Sequence, residues 1–272
     1  MTIRLWYRAL LITLLLTANP AWSQAELGKG IEAFSRGDYE AARQAWLPLA
    51  ERGDSNAQNN LGVLYERGLG VDKDPIKAAG WYRQAAERGN ASAQNNLGVC
   101  YEKGLGVVRD HKQATDWYRK GAMRGDLNAQ NNLGVMYERG LGVAVSLPEA
   151  IKLYRAAADK GLAQAQNNLG VMYERGRGLA QDYKMAATWY RRAADQSHPA
   201  AQNNLGVLYG LGRGVKEDIV QANFWFTLAA AGGSANGATN RDSTARRLTP
   251  AQREQVDTLL ADWQARQTGR RP

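Results

Sequence analysis

The stretch from Ala165 to Leu179, AQNNLGVMYERGRGL, recurs with small changes at four other places in this 272-residue chain. The copies begin at Ala57, Ala93, Ala129 and Ala201, so each start lies 36 residues after the one before. A fixed period of this length is typical of repeat arrays, in which each unit packs only against its neighbours. The spacing therefore predicts five repeats, over residues 57–92, 93–128, 129–164, 165–200 and 201–236.

Each repeat contains two stretches with the apolar period of a helix. Leu61 and Leu64 share one face of a helix that we predict over residues 57–67 and name helix A. Helix B is predicted to run from its N-cap, Asp74, to about residue 88. An all-α chain of such antiparallel helix pairs is predicted.

Three repeated positions predict how the helices pack. Gly62 and its counterparts lie inside helix A, where a glycine costs about 1 kcal/mol relative to alanine. We therefore expect another backbone to approach closely there. The alanine at the position of Ala78 predicts a tight helix contact, and the aromatic residue at Trp81 predicts a large buried side chain. Cys100, the single cysteine, occupies a position that is otherwise leucine or methionine, so we expect a buried thiol.

The two ends of the array differ from the repeats. Residues 24–56 read as a degenerate N-terminal capping repeat, and residues 237–272 as C-terminal capping helices and a basic tail. The period reaches Gly237, where an alanine is expected, and the pattern then breaks. A polar helix is predicted near Ser243–Leu248, and a last helix begins at Pro250. Arg266, Arg270 and Arg271 form the tail.

Residues 1–23 have the pattern of a secretory signal peptide. Arg4 and Arg8 precede a short apolar run, and Ala21 and Ser23 are the small residues that a cleavage site needs. The run is too short for a comfortable membrane span. We therefore expect an exported protein, periplasmic or secreted, with no membrane span after cleavage.

The formal net charge of +9 suits an anionic partner. Because an exported protein seldom meets nucleic acid, we expect no nucleic-acid partner. A protein or peptide partner is expected instead, and an anionic envelope polymer is the alternative.

Catalytic residues are scarce. His111 and His198 lie far apart along the array, and no metal-ligand spacing or nucleophile elbow occurs. The G-x-G loops follow helices and lack the lysine and hydroxyl residue of a phosphate-binding loop. Glu66 stands beside Arg67 at the end of helix A, a pattern that favours salt bridges over acid–base chemistry. We therefore predict that the protein is not an enzyme and that it binds no cofactor and no metal.

The repeat resembles the Sel1-like repeat, a relative of the tetratricopeptide repeat with a longer internal loop. The resemblance rests on A-x-N-x-L-G-x-x-Y-x-x-G-x-G-V, followed by D-x-x-x-A-x-x-W-Y-x-x-A-A-x-x-G. It implies a right-handed superhelix whose concave side is lined by the A helices. It also implies adaptor work in envelope assembly, signalling regulation or host contact. A cysteine-rich branch of the family is linked to penicillin binding and weak β-lactamase activity, but a single cysteine departs from that branch.

The face of helix A opposite its apolar stripe is the candidate partner-binding site. Asparagine offers both a donor and an acceptor, so a row of asparagines can bind a peptide backbone or sugar hydroxyls. The first asparagine of each repeat is predicted to point most squarely outward, with the second on the flank and a valine between them. The three rows are Asn59, Asn95, Asn131, Asn167 and Asn203; Asn60, Asn96, Asn132, Asn168 and Asn204; and Val63, Val99, Val135, Val171 and Val207.

Two interpretations of these rows remain open. They bind a partner, or they satisfy polar groups between the repeats. A protein-binding scaffold is the leading functional hypothesis. The alternatives are an envelope hydrolase of the β-lactamase or cell-wall type and a polysaccharide-binding module.

Overall fold

The computed structural model of the chain describes residues 20–269, and the side chains of residues 24–269. The predicted signal peptide, residues 1–23, lies outside the residues whose side chains are described, as do Arg270 and Arg271 of the predicted tail. The described residues form fourteen α-helices: α1 (Pro20–Ser35), α2 (Tyr39–Glu51), α3 (Ser55–Arg67), α4 (Pro75–Glu87), α5 (Ala91–Lys103), α6 (His111–Met123), α7 (Leu127–Arg139), α8 (Leu147–Asp159), α9 (Ala163–Arg175), α10 (Tyr183–Asp195), α11 (Pro199–Leu211), α12 (Ile219–Ala231), α13 (Ala235–Ala245) and α14 (Pro250–Gln267).

The helices stack in chain order. From α1 to α13 each helix packs against the next, and α5 also touches α7, as α11 touches α13. In the five repeats α3, α5, α7, α9 and α11 are the A helices, and α4, α6, α8, α10 and α12 are the B helices. This arrangement confirms the predicted all-α solenoid of helix pairs with a 36-residue period.

Capping residues set the ends of the helices. Helix α3 begins at Ser55, two residues before the predicted start, because the Asp54 carboxylate accepts hydrogen bonds from the Asn56 and Ala57 amides. It ends at Arg67 as predicted, and Gly68 follows in the left-handed conformation with φ 68°. Helix α4 starts after its predicted N-cap, Asp74.

The glycine inside helix A faces an aromatic ring, so the predicted close approach of another backbone is wrong at this position. A Cβ added to Gly62 would lie 2.5 Å from Cε1 of Tyr82 on helix α4. The other four repeats pack a tyrosine or phenylalanine ring against the equivalent glycine in the same way. The close backbone approach occurs in the loop instead, where a Cβ on Gly106 would lie 2.0 Å from the carbonyl oxygen of Pro75.

The core is continuous from repeat to repeat. The alanine position represented by Ala78 is buried in every repeat, as the tight helix contact predicts. Tyr82 and its counterparts Tyr118, Tyr154 and Tyr190 are fully buried. Cys100 is 3% exposed, as expected from the apolar residues at its position.

The repeat geometry continues beyond the point where the sequence pattern breaks. Helix α13 begins at Ala235, eight residues before the predicted Ser243, because Ser234 caps it. Gly237 fills the alanine position, where an added Cβ would lie 2.7 Å from Cβ of Ala229. This helix is a shortened sixth helix A. Because most of its residues are polar, the sequence does not show the apolar pattern of the other A helices.

Helix α14 packs against α12. Its start is fixed by a capping box between Thr249 and Gln252. Phe224 of α12 is 3% exposed, although the equivalent Lys152 and Thr188 of earlier repeats are exposed. The phenylalanine at this position, which faces solvent in earlier repeats, is thus the sequence feature that indicates the packing of α14 on α12.

Candidate functional site

The glutamine of each repeat motif joins one repeat to the one before it. Gln58 is 1% exposed, and its Nε2 donates to the carbonyl oxygen of Ala50, at the end of the preceding helix B, over 2.9 Å. The same contact recurs from Gln94 to Ala86 and in the three later repeats. The Ala50 carbonyl already accepts the Gly53 amide, so the glutamine occupies its second lone pair. This glutamine is not among the predicted site residues, although its presence in all five copies is a signal.

The two asparagine rows form one hydrogen-bond ladder across the repeat boundaries. From the second repeat to α13, the asparagine at the second position donates from Nδ2 to Oδ1 of the first asparagine in the repeat before it. The rungs are Asn96 to Asn59 at 3.0 Å, Asn132 to Asn95 at 2.9 Å, Asn168 to Asn131 at 2.9 Å, Asn204 to Asn167 at 3.1 Å and Asn240 to Asn203 at 3.0 Å. Each boundary between A helices is therefore tied by a side-chain amide pair.

The burial of the two rows reverses the predicted order of exposure. Asn95, Asn131 and Asn167 are 9%, 5% and 7% exposed, so the first asparagine does not point most squarely outward. This burial is confined to the three middle repeats, since Asn59 and Asn203 accept the same rung and are half-buried. The second asparagines, from Asn60 to Asn204, are half-buried and keep part of each amide at the surface. Partner binding by either row remains a prediction.

Asn60 differs from the rest of its row. It opens the ladder, and within residues 24–269 its side chain forms no hydrogen bond, whereas Asn96 is committed to Asn59. A comparison of substitutions at Asn60 and Asn96 therefore distinguishes a structural role of the amide from a role in binding a partner.

The valine row is half-buried throughout. Val63 packs against the cluster that contains Leu97 of the next repeat, and Val99, Val135 and Val171 pack forward in the same way. Part of each valine thus belongs to the core, and the rest lies between the asparagines and the end of helix A. We name the surface formed by these three rows and by the glutamate and basic residue that end each helix A the A face.

The glutamates of the A face bind buried tyrosines. Glu66 Oε2 accepts a hydrogen bond from the Tyr82 hydroxyl over 2.6 Å, and the next three repeats contain the same pair. Burial and the adjacent carboxylate raise the pKa of the Tyr82 hydroxyl well above its ordinary value. The expected salt bridges with the adjacent bases are not formed at these glutamates in the described residues. Glu138 pairs instead with Arg177, in the loop after α9 of the next repeat.

The fifth repeat lacks both members of this pair. Gly210 replaces the glutamate and Phe226 replaces the tyrosine. A buried hydroxyl without an acceptor costs about 1–3 kcal/mol, so loss of the carboxylate favours loss of the hydroxyl as well. The paired replacement indicates that the glutamate serves the fold in the other four repeats.

The A face carries no excess charge along its length. Four glutamates, represented by Glu66, are followed by four basic residues, represented by Arg67, at the ends of α3, α5, α7 and α9. A neutral surface with amides and partly exposed valines suits a polypeptide, and it offers an anionic polymer no cluster of cations.

Chemical groups elsewhere do not assemble into a reactive site in the described part of the chain. Burial raises the pKa of Cys100 to about 12, which keeps the thiol protonated. Within residues 24–269 no group of three histidine, cysteine or acidic residues is placed to hold a metal ion. Over the same helical region, no helix has the length and apolar character needed to cross a bilayer.

The Sel1 repeat family model matches five consecutive segments, residues 55–90, 91–126, 127–162, 163–198 and 199–234. The chain belongs to the Sel1 repeat family. The matched segments begin at the first residue of each helix A, two residues before the boundaries that the motif alone predicts. Sel1 repeat proteins are generally non-enzymatic scaffolds for protein interactions.

Solved Sel1 repeat structures share this architecture. A protective antigen of uropathogenic Escherichia coli strains, with an SLR fold, is 38% identical over 89% of the chain with a TM-score of 0.81. The chain covers 53% of that structure, about half of its length. A Sel1 repeat protein from Oxalobacter formigenes is 33% identical, with a TM-score of 0.72, over 78% of the chain and 84% of its own length.

A Sel1 repeat protein from Klebsiella pneumoniae has the same fold at 21% identity, with a TM-score of 0.52 over 75% of the chain and 99% of its own. No curated protein matches the chain in sequence.

Proposed function

We propose that this Sel1 repeat protein is an exported scaffold that binds an extended segment of a protein partner along its A face. The observation that carries the proposal is the repetition of one neutral surface, with half-exposed amides and valines, on five helices in register. Because a side-chain amide both donates and accepts, such a surface can bind peptide backbone whatever the partner's sequence. The family's general role in protein interactions supports the same conclusion.

Export is part of the proposal and rests on two observations. The first 23 residues have the pattern of a signal peptide, and a relative is a protective antigen of uropathogenic strains. Both support a site of action in the periplasm or outside the cell. A role in envelope assembly, signalling regulation or host contact follows from that location.

Site-specific photocrosslinking tests the binding surface. A benzophenone amino acid placed at Lys103, which is exposed on the A face at the end of α5, should capture a partner in intact cells. The same group at Lys152, which is exposed on helix B of the next repeat, is the matched control. Both sites replace an exposed lysine, so neither change disturbs the core.

The expected result is a discrete adduct from Lys103 and none from Lys152. Adducts of equal yield from both positions, or from Lys152 alone, would contradict an A-face site. Cell fractionation with an antibody to the protein tests export separately, and recovery of the intact chain from the cytoplasm alone would refute it.

A further inference from the structure

The C-terminal end of the array contains a cavity that the repeats before it do not build. It has a volume of about 510 Å³ and lies where α10, α12 and α14 meet. Pockets for small molecules typically measure about 300–1,000 Å³ and are lined by aromatic residues with a few polar groups. This cavity is within that range.

An aromatic cluster forms the floor of the cavity, in which Phe224 and Trp225 are 3% and 1% exposed and Trp263 is half-buried. Trp225 of α12 and Trp263 of α14 meet edge to face, with ring centroids 5.5 Å apart and an interplanar angle of 80°. Phe224 completes the cluster, 4.8 Å from Trp225 and 6.1 Å from Trp263. Two of the three rings, Phe224 and Trp263, have no aromatic counterpart in the preceding repeats. The cluster is therefore absent from the first four repeats of the described chain.

Charged groups stand at the edge of the aromatic cluster. The Arg191 guanidinium lies 4.6 Å from the Trp225 ring centroid, and the Arg266 guanidinium lies 5.7 Å from that of Trp263. Asp195 also lines the cavity, so its charged lining residues are two cations and one anion, with a net charge of one positive unit. Burial raises the pKa of Asp195, against the effect of the two arginines.

Within residues 24–269, one hydrogen bond is formed by the Arg191 guanidinium. Its Nη2 donates to the Tyr209 hydroxyl over 2.6 Å. A guanidinium has five N–H groups in a planar fork that matches a carboxylate. Arg155 makes the equivalent contact, 3.0 Å to the Tyr173 hydroxyl, in a repeat that lacks the cavity. The tyrosine contact is thus a general feature of the array, and the cavity is an addition to it.

We propose that this cavity binds a carboxylate joined by a few bonds to an aromatic ring. The ring packs on the half-buried Trp263 and Leu259, above the buried Phe224 and Trp225. The carboxylate pairs with Arg191 and Arg266. Such a group exists in a free aromatic acid and in a polypeptide that ends in phenylalanine, tyrosine or tryptophan. The site is separate from the A face and does not depend on the function proposed for that surface.

The test is a titration of the purified protein with three probes. N-acetyl-phenylalanine carries the ring and the carboxylate, N-acetyl-phenylalaninamide carries the ring alone, and Gly-Gly-Gly-Phe presents the pair as a peptide terminus. Binding is followed through the indole N–H resonances of Trp225 and Trp263. We expect saturable shifts at both indoles with the acid, and binding at least tenfold weaker with the amide. The two carboxylate probes distinguish the sources, since a site for chain ends binds the peptide at least as tightly as the acid.

Two arginine variants provide the matched control. R191Q and R155Q each remove a guanidinium that bonds a tyrosine, but only Arg191 lines the cavity. We expect R191Q to weaken binding of the acid at least tenfold, and R155Q to leave it unchanged. The proposal is overturned if no probe shifts the indole resonances up to about 20 mM, a concentration that already detects very weak sites. Equal affinity for acid and amide, or equal loss in both variants, also overturns it.

Discussion

His198 should make the boundary between the fourth and fifth repeats sensitive to acid. It is the N-cap of α11, and its Nδ1 accepts a hydrogen bond from the Ala201 amide over 3.2 Å. Its Nε2 lies 3.0 Å from the side-chain oxygen of Gln164 in the preceding A helix. An imidazole that accepts at Nδ1 and donates at Nε2 is neutral, so protonation removes the cap and places a cation at the start of a helix.

The direction of the pH effect follows from the pKa. Burial lowers the pKa of His198 from its ordinary value of 6.5, so at intermediate pH the unfolded chain binds more protons than the folded one. Its contribution to stability is complete above about pH 6.5 and is lost as the pH falls through the lowered value. Loss of an N-cap costs about 1 kcal/mol, and a cation at a helix N-terminus adds about 0.3–1 kcal/mol. Acidification should therefore destabilise this boundary by about 1–2 kcal/mol.

Two measurements on the wild type and on H198N test this reasoning. NMR titration of the two histidines should give a pKa for His198 below 6.5, with His111 resolved in the same spectrum. Hydrogen exchange at the Ala201 amide, corrected for its intrinsic pH dependence, should lose about five- to thirtyfold protection, equivalent to about 1–2 kcal/mol, as the pH falls from 7 through the pKa that the titration gives for His198. H198N retains a capping side chain that does not titrate, so its protection should be independent of pH. A His198 pKa above 6.5, or equal pH dependence in H198N, would refute the neutral-cap assignment.

Three further predictions concern the core and the ladder. Cys100→Leu should raise the midpoint of thermal unfolding and stabilise by about 1 kcal/mol, because the thiol lines a cavity of about 350 Å³ where other repeats hold leucine or methionine; a lower midpoint would show that the cavity is not within its reach. Gly134→Ala should destabilise by about 1–3 kcal/mol, since the new Cβ meets a tyrosine ring at 2.7 Å. Gly80→Ala, with nothing within 4 Å of its Cβ, should stabilise by up to about 1 kcal/mol in the same urea titrations, and equal effects would contradict the steric argument. Asn131→Ala should cost about 0.5–1.5 kcal/mol because it removes the acceptor of the Asn168 rung, whereas Asn60→Ala should cost less than about 0.5 kcal/mol; equal losses in urea unfolding would show that the ladder does not stabilise the array.

The fold was largely predictable because the same residues recur at the same spacing. Leu61 and its counterparts fix the apolar face, and Gly68 and Asp74 mark where the helices end and begin. The group that packs against Gly62 could not be predicted. A glycine inside a helix indicates a close neighbour, but it does not show whether that neighbour is a backbone or an aromatic ring. The start of helix α13 was not predicted correctly, because this helix lacks the apolar stripe of the other A helices. Its position depends on an N-cap and on one small residue, Gly237.

The candidate site was less accessible to sequence reasoning. A helical wheel gives the direction of a side chain from its own helix, but it does not include the neighbouring helix that covers Asn131. The bonds from Asn168 to Asn131 and from Tyr82 to Glu66 join residues of different helices. Their geometry therefore depends on how the repeats stack, which a single repeat does not contain.

The asparagine ladder has a consequence for how the array changes length. Every rung joins residues 37 apart, and the last one passes from Asn203 to Asn240 in the shortened terminal helix. Because all rungs use the same two atoms, deletion or duplication of one 36-residue unit between equivalent positions recreates a complete rung at the new junction. Unequal recombination between the near-identical repeats thus produces longer or shorter arrays with the A face intact. The length of the A face is set by the number of units and can evolve in steps of one repeat.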